Sequence, residues 1–254
     1  MTKDLQITER ELNVILENLG QTEPVSGDVV EFGCYMGDTS VKMAEAMKDW
    51  PEKWLWLYDS FEGLPEKTAA DKSGDGWAFR PGELKASAEL VASKFKKLNL
   101  PEPVVMKAWF NELDANDDLP KQISFALLDG DYYESIKTSL ILVAPKLSQG
   151  GKIIVHDYRN SALPGSAKAV NEFLENNPNF QLRLASGLAI IEYRGWYENS
   201  KKARYSITYC TGSALGLCRL HIDTLHFWPK LFKNRGMHCR ILVAICARCF
   251  GIRV

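Results

Sequence analysis

The sequence predicts an α/β protein built on a mostly parallel, doubly wound sheet, with a basic extension at its C-terminus. Three observations carry this. Short apolar runs alternate with helical patterns as far as residue 193, the signature of strand–helix–strand units. The runs lack polar alternation, as expected of strands buried on both faces. The strongest of them end in Gly or Asp, where a strand meets a loop. The composition, 46% hydrophobic and 25% charged, is ordinary for a globular chain.

Residues 8–19 read as the first helix: Thr8 and Glu11 form a capping box, Leu12, Ile15, Leu16 and Leu19 share one face, and Gly20 is placed to stop it. Residues 28–32 are a buried strand that ends at Gly33, and 39–48 are helical with Asp38 or Thr39 as the N-cap. Residues 54–58 form a second strand, closed by Asp59. Residues 60–83, rich in Gly, Pro and charge, are a long loop of the kind that usually serves function. A helix over 84–98 and a strand over 103–107 follow. Residues 123–128 are a strongly apolar strand ending in Asp129-Gly130-Asp131, with Asp131 and Glu134 framing the next helix towards residue 147 and Asp131 placed as its cap. Gly150-Gly151 turns the chain into a strand over 152–155, ending in His156-Asp157. A helix over 166–176 and a hairpin of 180–184 with 188–193, through Ser186-Gly187, complete the domain.

A boundary falls near residue 200, dividing a domain of residues 1–200 from an extension of residues 201–254. The extension carries ten Lys/Arg and one acid, a net of +9, whereas the first 200 residues carry 21 bases and 31 acids, a net of −10. Five of the six cysteines also lie in the extension, and they read as reduced thiols. Leu225, Phe227, Trp228, Leu231 and Phe232 interleave with Lys230, Lys233 and Arg235. That pattern suits peripheral contact with an anionic membrane, and equally a plain helical extension or a homo-oligomer contact. Cys246 and Cys249 with His238 and Cys239 form only a weak zinc signal. No nucleic-acid-binding motif is present. The N-terminus has no apolar signal segment, and no run reaches the roughly 18 apolar residues of a membrane span, so the expectation is a cytoplasmic protein.

Ligands of such sheets bind beyond the carboxyl ends of the strands, and four chemistry-bearing segments fall there. Gly33 and Gly37 form a G-x-x-x-G turn, where glycine lets the backbone approach a ligand. It is not the G-x-G-x-x-G of dinucleotide enzymes; the looser turn suits S-adenosylmethionine (SAM), which has no phosphate. Asp59, 22 residues beyond Gly37, can accept hydrogen bonds from both ribose hydroxyls. Asp129 and Asp157, on two adjacent strand ends, bring two carboxylates within reach of a hard cation such as Mg²⁺, which would make a bound hydroxyl a better nucleophile. His156, with an unperturbed pKa of about 6.5, is placed to remove that proton.

These residues resemble a known family. Val30-Glu31-Phe32-Gly33, Asp59-Ser60-Phe61-Glu62-Gly63-Leu64-Pro65, Leu128-Asp129-Gly130-Asp131-Tyr132-Tyr133-Glu134-Ser135, His156-Asp157-Tyr158 and Pro164-Gly165-Ser166 are similar, in order and spacing, to the motifs of the macrocin O-methyltransferases. The resemblance covers roughly residues 10–193. It implies a Rossmann-like seven-stranded sheet with an antiparallel last strand, and SAM-dependent methylation of a hydroxyl on a sugar-containing small molecule, often with Mg²⁺. It also implies that Glu31, Gly33, Tyr35, Ser40, Asp59 and Ser60 line the SAM pocket, that Asp129 and Asp157 hold the metal, and that residues 66–81, with Trp77, Phe79 and Arg80, act as a lid over the acceptor. Macrolide-modifying members carry Asp-Asp-Tyr where this chain has His156-Asp157-Tyr158. His156 is therefore either a ligand or the general base, and the base role is the expectation. The rival readings are a nucleotide-dependent oxidoreductase on a similar fold and a non-catalytic SAM-fold binding protein.

Overall fold

The structure is a computed structural model that describes residues 6–73 and 79–193. Residues 74–78 of the expected lid, Trp77 among them, and the whole of 201–254, with its membrane and zinc expectations, lie outside the described residues; Phe79 and Arg80 lie within them. Seven strands form one sheet: β1 (Asp28–Phe32), β2 (Leu55–Asp59), β3 (Val104–Lys107), β4 (Ile123–Leu128), β5 (Leu147–Val155), β6 (Phe180–Ala185) and β7 (Leu188–Tyr193). Their order is β3-β2-β1-β4-β5-β7-β6, parallel except for β7, which runs antiparallel to both neighbours. The expected antiparallel last strand is present.

Five helices cover the sheet: α1 (Glu9–Gly20), α2 (Asp38–Ala46), α3 (Ala88–Lys97), α4 (Tyr133–Val143) and α5 (Pro164–Asn176). Strand periodicity decides how they pack. Val29, Leu57, Phe125, Leu127 and Ile154 point to one face and bury Ile15 and Leu19 of α1, Val41 and Met43 of α2, and Val91 and Phe95 of α3. Val30, Phe32, Ala126, Leu128 and Ile153 point to the other face, against Ile136 and Leu140 of α4 and Ala169 and Val170 of α5. Both faces are buried, so the strands need no polar alternation.

Several boundaries differ from the sequence expectation, each for a local reason. The capping box of Thr8 and Glu11 starts α1 as expected, but the helix runs through Gly20. The cap of α2 is Gly37 at φ +77°, with no side-chain cap bond, so neither Asp38 nor Thr39 caps it. Helix α3 begins only at Ala88, because the Ser87 hydroxyl accepts the Leu90 N–H. Helix α4 gives way to a short 3₁₀ turn at Ala144–Lys146, and β5 starts at Leu147 rather than 152.

The largest departure is at Asp131, which is not a helix cap. It sits at φ +58° and lines a cavity. The cap comes from elsewhere in the sequence: Asp71, buried in the long loop, accepts the Tyr133 N–H at 2.7 Å through one oxygen. Its other oxygen takes the Thr68 N–H at 2.9 Å and the Thr68 hydroxyl at 2.7 Å. A carboxylate at the first turn of α4 also complements the helix dipole. Asp71 therefore ties the loop to the strand end that carries Asp129 and Asp131.

Candidate active site

The carboxyl ends of β1, β2 and β4 open onto a cavity of about 320 Å³. Strand order reverses between β1 and β4, and α/β sheets bind ligands at such a switch point. Gly33, Tyr35, Asp59, Ser60, Asp129 and Asp131 line it from the strand ends, with Leu64, Pro65 and Leu84 from the long loop. Gly33 is required by close approach: at φ +90°, a Cβ there would lie 2.0 Å from the Asp129 carbonyl oxygen. The glycine thus brings the β1 and β4 ends together.

Asp59 organises one wall. One carboxylate oxygen accepts the Tyr35 N–H at 2.9 Å and the other the Phe61 N–H at 2.7 Å. Tyr35 and Phe61 both adopt left-handed backbone, at φ +46° and +55°, which non-glycine residues hold only when the surroundings enforce it. Cys34 is a third backbone donor, so a carboxylate with about four lone-pair sites keeps one for a ligand in the cavity. Burial raises the Asp59 pKa, against the lowering effect of the backbone donors.

Asp129, His156 and Asp157 meet on the other side. Nδ1 of His156 lies 2.9 Å from an Asp129 oxygen and 2.9 Å from an Asp157 oxygen. Burial disfavours a charged ring, but the two carboxylates outweigh it and push the His156 pKa up to about 12. Burial likewise works against the Asp157 charge, yet the His156 ring and the Asn160 amide, 2.8 Å away, hold that carboxyl below its ordinary value. Asp131 is pushed well above the carboxylate range, by burial first and then by Asp129 and Asp157. One ligand atom from each of Asp129, His156 and Asp157 lies within 4.8 Å of the others. Neighbouring ligands of an octahedral cation with bonds of about 2.1 Å are about 3.0 Å apart, so the two 2.9 Å separations fit such an ion.

Not every expected residue faces the cavity. His156 and Asp157 stand behind Asp129, and Glu31, Gly37 and Ser40 do not belong to the lining. Glu31 is buried and accepts a hydrogen bond from the Ser40 hydroxyl. Burial, the dominant cause, raises its pKa to about 8. The folded state therefore holds a proton that the unfolded chain releases near the ordinary glutamate value of 4.5. Stability from this group is complete below that value and is lost as pH rises to about 8. Glu31→Gln is expected to flatten the pH dependence of Tm between pH 5 and 8 and to raise Tm at the alkaline end; thermal melts across that range check it, and a slope equal to that of the unaltered protein would count against a protonated Glu31.

The cavity also recruits residues that the sequence did not flag. Trp109, Phe110 and Asn111 follow β3, and Glu134, Ser135 and Thr138 come from the first turns of α4. The rule that ligands sit beyond strand ends pointed at the β3 end as well, and Trp109-Phe110 was the available signal. Phe110 is held edge-on to Phe32 at 5.1 Å.

A Rossmann-like sheet with an acidic cavity at its switch point defines the class: an α/β protein with a ligand-sized cavity at the carboxyl edge of its sheet. The sequence profile described as Macrocin-O-methyltransferase (TylF) matches residues 8–188, and the chain belongs to that family. It is 32% identical to the 8-demethyl-8-(2,3-dimethoxy-alpha-L-rhamnosyl)-tetracenomycin-C 4'-O-methyltransferase of Streptomyces olivaceus, over 59% of this chain and 58% of that one. It is 31% identical to the demethyldecarbamoylnovobiocin O-methyltransferase of Streptomyces niveus, over the same shares. The chain thus spans less than two thirds of the length of these relatives. Among solved structures, the O-methyltransferase NovP superposes with a TM-score of 0.62 at 26% identity, over 73% of this chain and 79% of that one. The calicheamicin methyltransferase CalS11 shares the fold, with a TM-score of 0.58 at 20% identity, over 75% and 81%. Among the described residues, no helix is long and apolar enough to cross a membrane.

Proposed function

We propose that this protein transfers a methyl group from SAM to a hydroxyl of a sugar-containing small molecule. The observation that carries the reading is the cavity itself: Asp59 on one wall and Asp129 with Asp131 on the other, at the switch point of a Rossmann-like sheet. The family supports SAM as donor. The tetracenomycin relative, named for 4'-O-methylation of a rhamnosyl compound, supports a sugar hydroxyl as acceptor.

The roles follow from position. Asp59 accepts a hydrogen bond from the ribose hydroxyls through its free lone pair. Gly33, Tyr35 and Ser60 bring backbone and a hydroxyl to the same wall, and Trp109 and Phe110 offer aromatic faces to the adenine ring. SAM supplies an electrophilic methyl on a sulfonium. As the acceptor oxygen bonds to that carbon, the carbon–sulfur bond breaks and the oxygen must lose its proton. Asp129, a carboxylate that lines the cavity beside Asp131, receives it. We assign this role to Asp129 rather than to His156, the sequence-based expectation, because the ring stands outside the lining with its Nδ1 between two carboxylates; Asp131, whose carboxyl burial and its acidic neighbours push well above the carboxylate range, already holds a proton. Asp129 and Asp157, joined by the facing ring, would hold a divalent cation, which supplies a Lewis acid that acidifies a bound hydroxyl. Leu64, Pro65 and Leu84 shield the cavity from water.

The test is mass spectrometry of simple rhamnosides incubated with methyl-labelled SAM, with and without chelator. Label in a sugar methyl ether is the expected result, reduced by chelator. SAM binding without turnover over the acceptor panel would favour a non-catalytic binding protein instead.

A further inference from the structure

We propose that His156 is itself a cation ligand, with Glu11 oriented behind it, and that this donor set selects a first-row transition ion over Mg²⁺. The inference rests on the cation reading above and deepens it. Its subject is the replacement of a carboxylate by an imidazole at the β5 end.

The geometry of the ring is the starting point. Nδ1 of His156 faces both carboxylates at 2.9 Å, so it occupies the third corner of the donor set. The opposite nitrogen, Nε2, is buried and makes no hydrogen bond, one of two such side-chain atoms among the described residues. It points at Glu11, whose Oε1 lies 3.7 Å away. Glu11 is not free to wander. Its other oxygen, Oε2, accepts the Thr8 N–H at 2.9 Å and the Thr8 hydroxyl at 2.6 Å in the cap of α1. Oε1 is left to face the ring.

A histidine that binds a metal through one nitrogen must carry its proton on the other, and metal-ligating histidines donate that proton to a carboxylate, carbonyl or water. Glu11 is that carboxylate here, and closing from 3.7 Å to about 2.9 Å requires a shift of less than one ångström. The α1 cap would thereby fix both the tautomer and the tilt of the ring. An imidazole nitrogen suits Fe²⁺, Ni²⁺ or Zn²⁺ best, and Mn²⁺, at the weak end of the same first-row series, accepts one more readily than Mg²⁺, which takes oxygen ligands. Two carboxylates and one imidazole therefore tilt selection away from Mg²⁺.

The test uses the full chain after stripping with chelator, and reads the ion rather than turnover. Calorimetry with Mn²⁺ and with Mg²⁺ is expected to give Mn²⁺ an affinity at least about 10-fold higher. Electron spin-echo spectroscopy of bound Mn²⁺ is expected to show coupling to an imidazole ¹⁴N. His156→Asp should abolish that coupling and narrow the preference while retaining Mg²⁺ binding, and Glu11→Gln should weaken Mn²⁺ about 10-fold, the usual effect of losing an outer-shell carboxylate. Circular dichroism melts establish that both variants are folded. Bound Mn²⁺ without nitrogen coupling in the unaltered protein, or equal affinities for the two ions, would overturn the proposal and leave His156 a structural partner of two carboxylates. Absence of any cation binding would overturn it as well. Methyl transfer measured in parallel under chelator separates that outcome from failure of the methyltransferase reading.

Discussion

Asp59→Ala is expected to weaken SAM binding by about 10²-fold or more while the protein stays folded. Two effects add. The ribose hydroxyls lose a charged acceptor, and hydrogen bonds to charged groups contribute about 1.5–3 kcal/mol each. The N–H groups of Tyr35 and Phe61 also lose the oxygens that hold them at 2.9 and 2.7 Å, which loosens two turns that adopt left-handed backbone. Asp59→Asn separates the two, because it keeps one acceptor oxygen and should fall between the alanine variant and the unaltered protein. Calorimetric titration with SAM reads both variants. An unchanged affinity in Asp59→Ala would remove the ribose role.

Asp129→Asn is expected to lower turnover by about 10²- to 10⁴-fold, the usual range for loss of a positioned base, with SAM affinity preserved. The amide matches the carboxylate in shape but cannot take up the acceptor proton. Initial rates on a rhamnoside acceptor, together with SAM titration, check the split. A variant that turns over normally would remove the proton-accepting role from Asp129 and return it to the His156 ring.

Much of the fold was legible because buried parallel strands have a strong local signature. Residues 28–32, 123–128 and 188–193 are apolar runs bounded by turn-forming residues, and the strands match them. The rim of the cavity was legible for the same reason: Gly33, Asp59 and Asp129, which line it, interrupt apolar runs where a polar or small residue has no role in packing. What escaped depends on segments distant in sequence. Asp131 looked like a helix cap from its spacing, and only the fold shows Asp71, some sixty residues earlier, taking the Tyr133 N–H in its place. Glu31 looked like a ligand contact, yet it points into the interior and pairs with Ser40. The departure of His156 from the family motif was visible in the sequence. That its ring stands between Asp129 and Asp157, with Glu11 behind it, follows from α1 packing near the β5 end and has no local sign.

The claim beneath all of this is that the cavity between the β1, β2 and β4 ends is the SAM site. A crystal structure with S-adenosylhomocysteine tests it most directly. The expected result is the ribose hydroxyls within hydrogen-bonding distance of the Asp59 carboxylate, with the sulfur facing Asp129 and Asp131. Density for the ligand at any other edge of the sheet, or a fully occupied ligand whose ribose lies away from Asp59, would contradict it.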